Sequence, residues 1–177
     1  VTATDGKLAM ADGSLVEIAS LRAETKPDER VRTEISAAFA GESIDATFGL
    51  GTLQAMLSDS AWPVRVRARA AGSELGLEGT AQVTAEGFSF DVRSEINAPD
   101  VGTLSTWIDV APDAGIPLRA KKRLRLDASR FVAEQVNITL GQSDLSGSLG
   151  WHHAQLPGTL VLSLLSNFLD LDEIDKV

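Results

Sequence analysis

The chain has no cysteine, no tyrosine and only two histidines, and aromatic residues are few. Without cysteine there is neither a disulfide framework nor a thiolate metal site, although the compartment stays open. The two histidines, His152 and His153, are neighbours. In a strand they point to opposite faces, so one metal ion or proton relay has no easy use for both, and a surface or turn role is the simpler reading. No Ser-His-acid set, P-loop or GxGxxG fingerprint is present. Asp170, Asp172, Glu173 and Asp175 lack the spacing and the glycine of an EF-hand, and acids favoured at a helix start account for them. Positive charge is short as well. The net charge of −9 argues against a nucleic-acid partner, because phosphate binding needs a basic surface. No apolar run approaches the roughly 20 residues of a membrane-spanning helix, and no signal peptide is visible. The 177 residues are enough for one domain with a sizeable core. Because they begin at Val1 and stop just after a helix-start signal, they read as a segment of a longer protein.

Alternation is what the chain has instead. Asp5-Gly6 and Asp12-Gly13 are turn signals around KLAMA and before LVEIASLRAE, and Lys26-Pro27-Asp28 breaks the pattern. Val31, Thr33, Ile35, Ala37 and Phe39 alternate with polar residues, Gly41-Glu42 turns the chain, and Ile44, Ala46, Phe48 and Leu50 return. Then the period changes: Leu53, Met56 and Leu57 sit at helical spacing, predicting a short helix over 52–58.

A second block is clearer. Trp62, Val64, Val66, Ala68 and Ala70 alternate with Arg65, Arg67 and Arg69; Leu75, Leu77, Gly79, Ala81 and Val83 return; Phe88, Phe90, Val92 and Ile96 complete a meander. Turns at Gly72-Ser73 and Glu86-Gly87 predict Ala70 opposite Leu75, Val66 opposite Gly79, Val83 opposite Phe90, and Arg67 opposite Glu78. Pro99-Asp100 starts a second helix with Val101, Leu104 and Ile108 on one stripe. In the third block Leu124, Leu126 and Ala128 alternate with Lys121, Arg123, Arg125 and Asp127, and Val132, Val136, Ile138 and Leu140 come next. Gly141-Gln142 is a two-residue turn, Leu145, Gly147, Leu149 and Trp151 line one face of the return strand, and 159–165 is a further strand. Asp170 and Glu173 stand in capping-box position for a last helix.

The expected fold is therefore mainly β: one domain over 1–177, a curled, twisted antiparallel meander in sub-blocks 1–59, 60–111 and 112–177, with two or three short helices at block ends. Short echoes support a repeat. Gly51-Thr52-Leu53 recurs as Gly102-Thr103-Leu104, Ser73-Glu74-Leu75 as Ser143-Asp144-Leu145, and Asp100 as Asp170. Arg65, Arg67 and Arg69, with Arg119, Lys121, Lys122, Arg123 and Arg125, form basic stripes that read as a solvated sheet face paired with acids such as Glu78. The apolar face is the candidate site, either a closed core or an open face for acyl chains, since both give one periodicity. Its candidate lining residues are Val64, Val66, Leu75, Leu77, Val83, Phe88, Phe90, Val92, Leu124, Leu126, Val136, Ile138, Leu145, Leu149, Leu160 and Leu162.

The C-terminal stretch resembles the AsmA family of bacterial envelope proteins, whose terminal repeat reads L-G-x-S-D-L-x-G-x-L, then a Pro-led strand, then L-D-L. The matching residues are Leu140, Gly141, Ser143, Asp144, Leu145, Gly147, Leu149, Pro157, Gly158, Leu160, Leu162, Leu169, Asp170 and Leu171. Trp62-Pro63 and Ile116-Pro117-Leu118 look like family features too, and the resemblance covers about 45–174. It implies a non-enzymatic protein without a cofactor, held to the inner membrane by a helix outside this segment and extending into the periplasm as a β-sheet groove. The implied partner is phospholipid or another acyl lipid, and the implied role is lipid transport to the outer membrane. The alternative from another class is a scaffold that assists outer-membrane protein assembly through exposed strand edges.

Overall fold

A computed structural model describes residues 2–9, 15–24, 30–39, 41–85, 87–105, 115–152 and 158–174. Eleven strands form a single sheet in sequence order, every neighbouring pair antiparallel. The first six are β1 (Thr2–Ala9), β2 (Leu15–Glu24), β3 (Arg32–Phe39), β4 (Glu42–Gly49), β5 (Trp62–Ala70) and β6 (Ser73–Thr84). The other five are β7 (Gly87–Ala98), β8 (Leu118–Leu126), β9 (Arg130–Leu140), β10 (Ser143–His152) and β11 (Thr159–Leu165). The sheet does not close, so β1 and β11 are its edges. Extensive contacts run only between consecutive strands, and no second layer covers either face among the described residues. The surface area decides the point. It is 11609 Å², whereas a compact monomer of this mass exposes about 8,300 Å².

The hairpins keep the expected faces and shift the expected pairs. Val66 faces Leu77 and Ala68 faces Leu75, not the predicted Gly79 and Ala70. The turn residues are Ala71 and Gly72, with φ of 50° and 75°. A two-residue turn of this type needs positive φ at both positions, so the glycine closes the turn and Ser73 already belongs to the strand. Likewise Thr84 pairs with Gly87, which places Val83 opposite Phe88 rather than Phe90. Phe39 pairs with Glu42, so Glu42 too belongs to a strand and not to a turn. The slips in the second block are of two residues, and a slip of two leaves every side chain on its predicted face. Arg65 therefore replaces Arg67 as the partner of Glu78. Gly141-Gln142 is the turn that the pattern predicts, between Leu140 and Ser143.

Two strands change face part-way: β2, at an irregularity between Ile18 and Ser20 against β3, and β9. Gln135 takes a φ of 51° and forms a β-bulge against β8 and β10. The extra residue reverses the parity, so Phe131 and Ala133 join the apolar face while Val132 lies opposite Arg125 on the charged one. Asp5-Gly6 falls inside β1 rather than in a turn, with Asp5 at φ 55°. Asp127 and Ala128 end the strand: Asp127 Oδ1 accepts from Ser129 N at 2.9 Å and Arg130 N at 3.1 Å, a turn held by its own acid. The signals at Asp12-Gly13 and Lys26-Pro27-Asp28, and Ile108, lie outside the described residues.

Short helical pieces sit at strand ends. α1 (Leu53–Met56) is capped by Thr52, whose Oγ1 accepts from Ala55 N at 3.1 Å. A single 3-10 turn, Val101–Leu104, is capped by Asp100, which accepts from Gly102 N at 2.8 Å. Val101 N also donates to the Ile116 carbonyl at 2.7 Å, tying the turn to the entry of β8. α2 (Leu171–Ile174) is capped by Asp170, which accepts from Asp172 N at 3.0 Å and Glu173 N at 3.3 Å. The reciprocal half of the capping box does not form. Glu173 instead accepts from Gln142 N at 2.9 Å, and Asp170 N donates to Ser143 Oγ at 2.9 Å. Both bonds join α2 to the β9–β10 turn.

Candidate functional site: an uncovered apolar face

The register lays out the face as rows across the sheet. One row runs Trp62, Ala81, Phe90, Leu126, Phe131, Trp151 and Leu160 over β5 to β11. The next runs Val64, Gly79, Val92, Leu124, Ala133, Leu149 and Leu162. Towards the other end of the strands, Ala68, Leu75, Ile96, Ala120, Ile138 and Leu145 form a further row. Ala46, Ile35 and Leu21 continue that row to β2. All sixteen residues singled out from the sequence lie on this face, with Val83, Phe88, Leu160 and Leu162 exposed, Val92 and Val136 buried, and the rest half-buried. Ten steps of about 4.8 Å give the face a length of about 48 Å.

Exposure grows towards the β11 edge. Leu160 is 62% exposed and Leu165, on the opposite face, 67%. Among the described residues β11 therefore presents apolar side chains to both sides and an unpaired backbone edge. Monomeric soluble proteins rarely expose contiguous apolar patches above a few hundred Å², and larger ones mark contact with a partner, ligand or membrane.

The opposite face is charged and internally matched. Arg123 grips Asp91 through two bonds of 2.7 Å, Arg125 bridges Asp91 at 3.3 Å and Glu134 at 3.2 Å, and Lys121 meets Glu95 at 2.9 Å. Arg69 pairs with Glu74 at 2.9 Å, and Arg65 with Glu78. The Arg123 guanidinium holds the Asp91 carboxyl below its ordinary value, outweighing the opposing effect of burial, and the Arg65 bond does the same for Glu78. Two open depressions of about 920 and 870 Å³ lie on this face, not on the apolar one. A twisted sheet is a saddle, so each face is concave along one diagonal. Four of the cations lining these depressions, Arg65, Arg69, Lys121 and Arg123, already pair with acids; the larger unmet surface is the apolar one.

The structure also corrects one member of the basic stripes. Lys121 and Arg123 lie on the charged face, but Lys122 lies opposite Ser94 on the apolar face, in the row Phe48, Val66, Leu77, Ser94, Lys122. Its parity with Leu124 and Leu126 carries that signal in the sequence; reading the run of basic residues as one stripe hides it. Phe131 and Ala133 are hidden differently, since only the bulge at Gln135 turns them to this face. His152 is exposed near the end of β10, and His153 lies outside the described residues. No group of three or more histidine, cysteine or acidic side chains able to hold a metal occurs among the described residues, and no described helix is long and apolar enough to cross a membrane.

The geometry defines a class, an open single-layer antiparallel meander with one charged and one apolar face. Compared with protein-family models, with curated proteins and with solved structures, the chain matches none.

Proposed function

We propose that this chain is a non-enzymatic segment of an AsmA-like envelope protein whose apolar sheet face shields phospholipid acyl chains on their way between membranes. The observation that carries the reading is the uncovered face itself: seven strands contribute unbroken apolar rows, and nothing among the described residues packs over them. An acyl chain supplies the missing layer. Exposing it to water costs about 0.8 kcal/mol per CH₂. Moving it from a bilayer onto an apolar sheet exchanges one apolar medium for another and is close to neutral. Such a face is a low-barrier path rather than a sink, which suits transfer better than storage. The resemblance over 140–171 supplies the envelope setting, with a periplasmic location and an inner-membrane anchor outside these residues.

A second reading has its own observation. The β11 edge, exposed on both faces, offers main-chain hydrogen bonds and apolar side chains to another strand, as a scaffold for membrane-protein assembly would. One experiment separates the two. Mild extraction followed by native mass spectrometry should find co-purified phospholipid, and Leu77→Gln should lose it with only a small shift of the melting midpoint. If Leu77 were covered by protein, the stranded amide would cost about 1–3 kcal/mol instead. A large loss of stability with no lipid on the parent protein would overturn the transfer reading and leave the scaffold.

A further inference from the structure

Lys122 stands in the middle of the apolar face. On the apolar side of β8 it is flanked by Ala120 and Leu124, with Leu118 and Leu126 beyond them. Each end of the strand is four residues away, about 13 Å along the sheet. A lysine near a border can lay its stem on apolar surface and keep its ammonium in bulk water past the edge. From this position the side chain cannot reach past either strand end, so anything that covers the face covers the ammonium with it.

Its cross-strand neighbour is Ser94, 5% exposed. Neither the Ser94 hydroxyl nor the Lys122 ammonium has a hydrogen-bond or ion-pair partner among the described residues. The adjacent basic residues are occupied elsewhere: Lys121 holds Glu95 and Arg123 holds Asp91, both on the other face. A buried hydroxyl without a partner is uncommon in folded proteins, and a cation beneath an apolar cover is costly unless paired. The two residues are cross-strand neighbours on β7 and β8, and no carboxylate among the described residues pairs with the ammonium. The surrounding row, Val66 and Leu77 on one side and Val136 and Gly147 beyond the bulge, is apolar.

We infer that Ser94 and Lys122 form an anion anchor within the apolar face, which takes the carboxylate or phosphate of an anionic acyl lipid while the chain lies along the flanking rows. The inference rests on the proposal that this face holds acyl lipid, and it adds a selectivity: anionic amphiphiles over neutral ones. Charge complementarity names the occupant. A neutral lipid would leave the ammonium desolvated and unpaired, and a free inorganic anion would leave the apolar rows wet.

The test uses a fluorescent sixteen-carbon fatty acid and its methyl ester, both below their aggregation concentrations, at a pH where the acid is ionised. The parent protein should bind the acid about tenfold more tightly than the ester. Lys122→Met, which keeps the stem and removes the charge, should bring the two affinities together while leaving ester binding intact. Lys122→Arg should restore the preference, and Ser94→Ala should reduce it. Inorganic phosphate at millimolar concentration should compete weakly or not at all, which distinguishes a lipid headgroup from a free anion. Ester and acid binding equally to the parent, or a preference that survives Lys122→Met, would overturn the anchor and leave the lipid-binding face standing. Binding of neither probe would overturn both. Phosphate displacing the acid fully, with no binding of the ester, would identify a plain anion site and overturn the lipid assignment.

Discussion

Two parts of the sheet use the same device and end differently. In the first, Ser73 opens β6 beside the Ala71-Gly72 turn, and its buried hydroxyl lies 3.3 Å from Thr103 in the 3-10 turn capped by Asp100. In the second, Ser143 opens β10 beside the Gly141-Gln142 turn, and its buried hydroxyl accepts from the backbone of Asp170, the cap of α2. The local chemistry is alike; the burial is not. Val101 is 2% exposed and Ala98 fully buried, whereas Leu171 is 72% exposed. The neighbouring strands make the difference. β8 pairs with β7, and Ile116 at its entry bonds the 3-10 turn at Val101, while β11, which leads into α2, has no described strand on its outer side. A capped turn at a strand end is thus sealed by its next neighbour and not by its own residues.

Glycine substitutions should break this comparison most strongly. A Cβ on Gly79 would run into the Asp91 carbonyl of β7, a strand held from both sides. Gly79→Val should therefore cost about 3 kcal/mol of global stability in a denaturant melt. Gly147, at φ 145°, meets the Ser163 carbonyl of β11 in the same way, but β11 is free to move outward. Gly147→Val should release β11, read as lost amide protection in hydrogen exchange, with a much smaller change in the global midpoint. Equal midpoint shifts would show that the edge is held as firmly as the centre.

The caps come next. Asp100→Ala should cost about 1 kcal/mol, since it strands the Gly102 amide in a buried turn. Asp170→Ala should cost less, because α2 is solvated and Ser143 still holds the Asp170 backbone. Thermal melts of the two variants, run side by side, should preserve that order.

Acid should sharpen the contrast by the smallest margin. Asp144 accepts from Phe168 N at 2.7 Å and from the Asn167 side chain at 2.8 Å, and these bonds hold its carboxyl below the ordinary 3.8. A folded-state pKa below the unfolded one gives stability that is present above about 3.8 and lost as pH falls through the lower folded value. Glu74, the matching acid of the first part, bonds Arg69 instead. Amide protection over 166–170 should then be kept down to about pH 3.8 and fall as the pH drops below it. Asp144→Asn should show the lower protection at neutral pH already.

Much of this is legible in the residues. Alternation finds the strands and their faces, because a half-buried strand must repeat every two residues, and β2 and β11 fall where the pattern puts them. Pairing is less legible. Both positions of the turn after Ala70 take positive φ, and alanine does not advertise that, so the expected register is off by two. The bulge at Gln135 is not legible at all: a left-handed glutamine leaves no compositional mark, yet it decides which half of β9 faces the apolar side. The sixteen candidate residues keep their face because two-residue slips preserve parity. Lys122 is hidden for a simpler reason, since a run of like charge reads as one stripe until parity is counted.

The central claim is that the apolar face, and not the charged one, meets lipid. A photoreactive residue placed at Leu77, and in parallel at Glu78 on the other face, tests it most directly when the protein is irradiated in its native envelope. The account predicts a lipid adduct by mass at position 77 and none at 78. Equal labelling at both positions, or protein adducts alone at 77, would contradict it.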